Sequence, residues 1–179
     1  MDIESIYSRY YSENRALLDI VSTHSECVAR KAVSCALASG LDIDTDFVFE
    51  AAMLHDIGVV MCDAPPILCF GSLPYICHGI AGKEILENVG LPRHALVCER
   101  HTGAGITAED ILRQNLPLPP RDMLPISLEE KVICYADKFF SKSGDISREK
   151  KLEKVMVQMQ SHGEESLKRF LALHELFGK

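Results

Sequence analysis

Six side chains set the chemical question in this chain of 179 residues: His24, His55, Asp56, His78, His101 and Asp137. Neutral imidazole and ionised carboxylate are together the ligands that iron, manganese and related divalent cations accept. His55 and Asp56 are adjacent, so on a helix they point about 100° apart. A cation at the end of that helix can nevertheless meet both, and a carboxylate has two oxygens with which to bridge a pair of metals. Asp56 is therefore the candidate bridge. The remaining histidines, His94, His162 and His174, fall outside this order and read as ordinary surface or partly buried residues.

Helices must position these groups, because apolar residues recur every three or four positions and strand-like alternation is hard to find. Ile3, Ile6, Tyr7 and Tyr10 make one face of a first helix, and Leu17, Leu18 and Val21 continue after a polar break. Thr23 and Glu26 have capping-box spacing, which predicts a helix starting at His24 and stopping at Gly40. The next is predicted from about Thr45 to Asp56. Residues 61–77 carry Pro65, Pro66, Gly71 and Pro74 and read as a long loop, a candidate for part of the substrate entrance. Helix resumes over His78 to Asn88, and Pro92 opens a short helix leading to His101. The 101–107 turn could offer backbone N–H groups to a phosphate. Thr107 caps a further helix, and Ser127 with Glu130 predicts a capping box for one that carries Asp137 in its interior. Two amphipathic helices, near 148–161 and 164–177, complete an all-α pattern.

Residues 1–179 are expected to form one domain, with a core over about 20–142 and the C-terminal helices packed on it. Apolar residues make up 47% and charged residues 25%, as in ordinary globular proteins. The net charge of -7 counts against nucleic-acid binding, which needs clustered Lys and Arg. No stretch is apolar enough for a membrane span or a leader, so neither membrane nor nucleic acid is an expected partner. Seven cysteines form an odd set with no C-x-x-C pair, which points to free thiols and a reducing cytoplasm.

The ordered histidines and aspartates resemble the HD-domain superfamily. AAMLHDIG, ending at Gly58, is similar to the HDIG form of its motif, and ICYADK around Asp137 is similar to its late-aspartate setting. The resemblance spans roughly residues 20 to 142. It implies a helical bundle with the metal site between core helices, and a metal held by His24, His55, Asp56 and Asp137. In the six-ligand subset, Asp56, His78 and His101 would hold a second ion. The implied cofactors are two divalent ions, Fe or Mn first, with Co, Ni, Zn or Mg as alternatives.

The implied activity is hydrolysis of a small phosphate ester or phosphoanhydride, a nucleotide being the expected substrate. A metal-bridging hydroxide would attack, oriented by Asp56 and Asp137 as catalytic groups. Lys83, Arg100 and Lys138 lie near the ligands in sequence and are candidate substrate-binding residues. The same ligand order occurs in HD hydrolases of diadenosine tetraphosphate and in HD-GYP phosphodiesterases of cyclic di-GMP. Val59, where a basic residue is common, and the lack of a GYP tripeptide after His101 disfavour the latter. Two alternatives share the ligands, a di-iron oxygenase and a regulatory nucleotide-binding domain. A homodimer is compatible with all of them.

Overall fold

The computed structural model describes residues 2–178. Its centre is a long helix, and the sequence places that helix's start too late. Helix α1 spans Ile3–Tyr11 and α2 spans Arg15–Ser39. The Asn14 side chain accepts from Leu17 N and caps α2. Thr23 therefore lies inside α2, and Glu26 pairs with Arg30 at 2.6 Å instead of closing a box. Gly40 ends the helix at φ 71°, a left-handed stop that glycine adopts without steric cost. Leu17, Val21, His24, Val28, Ala32 and Cys35 all point inward from α2. Their spacing of three and four makes one stripe, so His24 occupies a core-facing position.

Helix α3, Thr45–Leu54, is capped by Asp44 and ends one residue before His55. A 3-10 turn over Ile57–Met61 follows. Tyr11 on α1 donates its hydroxyl to Ile57 O at 3.0 Å, and Tyr7 does the same to Met53 O, so α1 braces the His55–Asp56 corner.

The expected loop at 61–77 contains a miniature sheet. Strand β1, Cys62–Ala64, pairs antiparallel with β2, Cys69–Phe70, and parallel with β3, Leu73–Pro74. Strands of two or three residues are too short to display a period of two, which is why the pattern hid them.

Helix α4 covers His78–Asn88, α5 Pro92–Arg100 and α6 Ala108–Gln114, the last with a complete Thr107–Asp110 capping box. Helix α7, Leu128–Asp137, starts at Ser127, whose side chain accepts from Glu130 N. Asp137 is its last residue, not an interior one. The Glu130 carboxylate accepts from Ile126 N and from Arg100, so the predicted box is only half made. Helices α8, Leu152–Ser161, and α9, Glu164–Phe177, pack back on α2 and α7 through Val155, Met159, Phe170 and Phe177.

Two apolar cores result. One joins the second half of α2 to α3, α7, α8 and α9. The other joins α1, the start of α2, the 3-10 turn, the small sheet, α4 and α5. On α2 the change from one to the other falls between Val21 and Val28, at His24. On α3 it falls between Ala52 and Leu54, just before His55. The six polar residues thus lie at the seam of the two cores.

Gly58 sets how closely α4 approaches this seam. A Cβ there would lie 2.2 Å from Gly82 N and 2.2 Å from His78 O, both backbone atoms that cannot swing aside. Gly58→Ala is expected to displace α4 and lower stability by about 3 kcal/mol, the upper range for overpacking. Chemical denaturation checks this, and a loss below about 1 kcal/mol would show that the contact yields.

Candidate metal centre

All six ligand candidates converge. His24 Nε2 lies 3.0 Å from Asp137 Oδ1 and 3.2 Å from Asp56 Oδ2. His55 Nε2 is 2.9 Å from the same Asp56 oxygen and 3.5 Å from Asp137 Oδ1. His78 and His101 face the other oxygen, each with Nε2 at 3.5 Å from Asp56 Oδ1. Two groups of donors follow, His24–His55–Asp56–Asp137 and Asp56–His78–His101, each with its atoms within 4.8 Å of one another. Asp56 belongs to both and is fully buried.

The imidazoles are oriented from behind. Nδ1 of His55 donates to Ala52 O at 2.6 Å, that of His78 to Tyr75 O at 2.7 Å, and that of His101 to Cys98 O at 2.8 Å. A carbonyl can only accept, so these bonds put the proton on Nδ1 and leave the Nε2 lone pair pointing inward. His78 Nε2 and His101 Nε2 then face each other at 3.1 Å with two lone pairs and no proton between them. Burial holds both in the neutral form, pulling the His78 pKa down to about 3 against the opposing pull of Asp56. Asp56 Oδ1 is buried with no hydrogen bond and only imidazole nitrogens at 3.5 Å, whereas Oδ2 has the Lys142 ammonium at 2.5 Å. Buried polar atoms without partners are costly, and lone pairs converging at this separation repel. Cations between them remove both penalties, so the donor set fits metal ions.

The charges agree. Burial by itself would raise the Asp56 carboxyl, but His55 and Lys142 beside it hold it well below the usual carboxylate range. Asp137 is likewise held low against its burial, by Lys138 and the histidines. Burial would lower His55, yet Asp56 and Asp137 raise it to about 9, so without a cation its Nε2 holds a proton that a bound metal would displace. The two anions draw positive charge from every group that can supply it.

The centre opens into a cavity of about 450 Å³ lined by Tyr75, Thr102, Gly103, Lys138, Lys142 and His162 among others. Of the three candidate substrate-binding cations, only Lys138 reaches it, with Nζ 2.7 Å from Asp137 Oδ2 and 3.0 Å from His101 O. Lys83 Nζ is taken by Glu99 at 3.0 Å, and Arg100 by the Glu130 carboxylate at 3.0 and 3.1 Å. Both tie helices together, and neither lines the cavity. In the 101–107 turn, Gly105 N and Ile106 N are consumed by Thr102 O and Met123 O and Thr107 N by Asp110, while Thr102 and Gly103 line the cavity. Residues from the 61–77 segment do line the cavity, including Ala64, Pro66, Ile67 and Tyr75.

Sequence reasoning missed Lys142. Its Nζ lies 2.5 Å from Asp56 Oδ2, and the surrounding carboxylates raise its pKa although burial opposes this. Its four-residue spacing from Lys138 was the available signal, but the helix stops at Asp137 and the spacing carries no weight outside one. His162, set aside as ordinary, also lines the cavity. His94 packs on the Phe47 ring at 4.8 Å, and His174 Nδ1 sits 2.9 Å from the Tyr135 hydroxyl, both away from the centre.

Comparisons with known proteins cover most of the chain. An uncharacterized protein of Methanocaldococcus jannaschii is 39% identical over 137 residues, covering 74% of this chain and 70% of that one. The tRNA (cytidine(56)-2'-O)-methyltransferase of Picrophilus torridus is 34% identical over 137 residues, and that of Thermoplasma volcanium 31% identical over 159. The chain spans only 36% and 41% of those two longer proteins, while 76% and 88% of it aligns with them. The HD domain profile matches residues 21–142, from just before His24 to Lys142. With that profile laid over most of its length and over all six converging ligands, this chain belongs to the HD domain family.

Proposed function

We propose that the chain is a metal-dependent phosphohydrolase acting on a small phosphate ester or phosphoanhydride, with a nucleotide as the favoured substrate. The observation that carries this reading is the division of donors across Asp56, one oxygen facing His24 and His55 and the other facing His78 and His101. Such an arrangement suits two ions, and Fe or Mn matches the nitrogen and oxygen donors best. His24, His55 and Asp137 with Asp56 would hold one ion, and His78 and His101 with Asp56 the other; bound ions would supply Lewis-acid polarisation of a phosphoryl oxygen and a more acidic water.

The protein's own groups do the rest. His55, His78 and His101 are locked in one tautomer by Ala52, Tyr75 and Cys98, so their lone pairs need no reorganisation. Asp137, at 11% exposure, borders the cavity and orients a water at the phosphorus, while Lys138 fixes its second oxygen. Lys142 places an ammonium at the cavity floor, where it can neutralise a phosphoryl oxygen as charge builds. Lys142→Met is expected to lower kcat/KM about a hundredfold while the protein still binds its metals. Steady-state kinetics paired with elemental analysis checks this, and loss of metal along with activity would reassign Lys142 to ion binding.

Methyl transfer is named for proteins of which this chain spans well under half, and cation donors dominate the site described here. Those names justify adding RNA-derived nucleotides to a substrate panel. The decisive experiment is anaerobic purification with elemental analysis, then a phosphate-release screen over nucleotides, dinucleotides and sugar phosphates with Mn or Fe loaded. Phosphate release without oxygen supports the reading. Oxygen consumption without phosphate release would replace it with oxygenase chemistry, and tight nucleotide binding without product with a regulatory role.

A further inference from the structure

The segment between α7 and α8 departs from the acidic character of the rest of the chain. Over residues 138–154 it carries Lys138, Lys142, Arg148, Lys150, Lys151 and Lys154 against only Asp145, Glu149 and Glu153. The metal cavity runs into a neighbouring depression along this segment, and the two share Ser141, Ser143, Lys150 and Gln158 as walls. Glu149 is engaged by Lys31 at 2.6 Å. Among the described residues, Arg148, Lys151 and Lys154 have no ion-pair partner, and all three are exposed around the depression.

Two further observations point to an anion here. Helix α8, ten residues long, starts beside this depression with no side chain capping it; Lys154 N is spent on Lys151 O at 3.0 Å, so the helix contributes the field of its N-terminus rather than open N–H donors. A helix N-terminus carries partial positive charge and favours anions. Lys150 binds Phe140 O at 2.7 Å and Lys138 O at 3.2 Å, holding the strip in shape. Burial lowers the Lys150 pKa, and although Asp137 opposes this, Lys138, Lys154 and Lys142 add to it, which shows how closely the cations crowd together. Asp145 and Glu149 also line the depression, but Glu149 is paired with Lys31, so Arg148, Lys150, Lys151 and Lys154 leave it net positive, which favours a polyanion.

We infer that the depression bordered by Arg148, Lys151, Lys154 and the α8 N-terminus is a binding subsite for the phosphates beyond the one at the metal centre, so that the substrate class is a phosphoanhydride with at least two linked phosphates. This deepens the hydrolase reading and rests on it for the placement of the first phosphate. The cavity and the depression form one trough, so a linear chain of phosphates can keep one end at Asp56 and lay the other on the strip. A monophosphate would not reach it.

The test is calorimetric titration of the full-length Mn-loaded protein with inorganic tripolyphosphate and, separately, with orthophosphate, in the wild type and in Lys151→Glu/Lys154→Glu. Both positions are exposed and lie outside the metal site, and circular dichroism confirms the fold of the variant. Tripolyphosphate affinity should fall at least tenfold in the variant, and orthophosphate affinity should stay within twofold. Arg148→Glu alone should give a smaller loss of the same selectivity. Equal weakening of both ligands would reveal a mere change in overall charge and overturn the subsite, as would no change in either. If the selective loss occurs but the loaded wild type releases phosphate from nothing in the panel, the subsite stands and the hydrolase reading falls.

Discussion

Asp56→Ala should strip the protein of metal and of activity in a single step. Among the described residues no other serves both donor groups, and its two oxygens face four imidazoles at 2.9 to 3.5 Å. Removing it leaves two donors for the His78–His101 group, below the three protein ligands a catalytic ion ordinarily keeps, and leaves the other group a bare three without the oxygen that lies between its two imidazoles. The expected result is metal content reduced from about two ions to well under one, and phosphate release lowered at least about a thousandfold. Helical circular dichroism should persist, because the two apolar cores on either side do not depend on the carboxylate. Elemental analysis and a phosphate assay on the same preparation decide it. A metal-replete, active Asp56→Ala protein would end the two-group description.

Metal removal should cost stability on a scale that is easy to measure. Without cations the seam encloses facing lone pairs on His78 and His101 and the two buried carboxylates of Asp56 and Asp137, offset by His55, Lys138 and Lys142. Ions that bind the folded chain and not the unfolded one contribute about 4 kcal/mol at a free concentration a thousand times Kd. For a domain of this size that corresponds to a rise in Tm of roughly 8–16 °C. Differential scanning calorimetry of chelator-treated and Mn-loaded protein measures it. His78→Ala/His101→Ala should keep only part of the rise, since the group around His24 and His55 remains. A Tm indifferent to metal would mean that Lys142 and the histidines already satisfy the carboxylates.

The Lys142 ammonium is the structural counterpart of that argument. It reaches Asp56 from a segment outside any helix, and its charge falls where the anions are densest. The same segment supplies the exposed cations at the trough. The net charge of -7 therefore conceals a positive strip beside a negative centre, and the two together suit a phosphate chain bridged to the protein by metal at one end.

Much of this was legible in the sequence for a local reason. Helix stripes, the Asp44 and Thr107 caps, and the Gly40 stop involve residues at most four positions apart, and such contacts form wherever those residues occur. The order of the six ligands is likewise a property of the string of residues, and with it came the family. Tertiary packing alone decided the rest. His24 and Asp137 are 113 residues apart yet meet at 3.0 Å, which no local rule encodes. Lys83 and Arg100 sat near the ligands in sequence, but Glu99 and Glu130 reached them first. Lys142, as far from Asp137 in sequence as Lys83 is from His78, was delivered to Asp56. A long flexible side chain takes the partner that the packed helices bring within reach, so its role is fixed only when the two cores close on their seam.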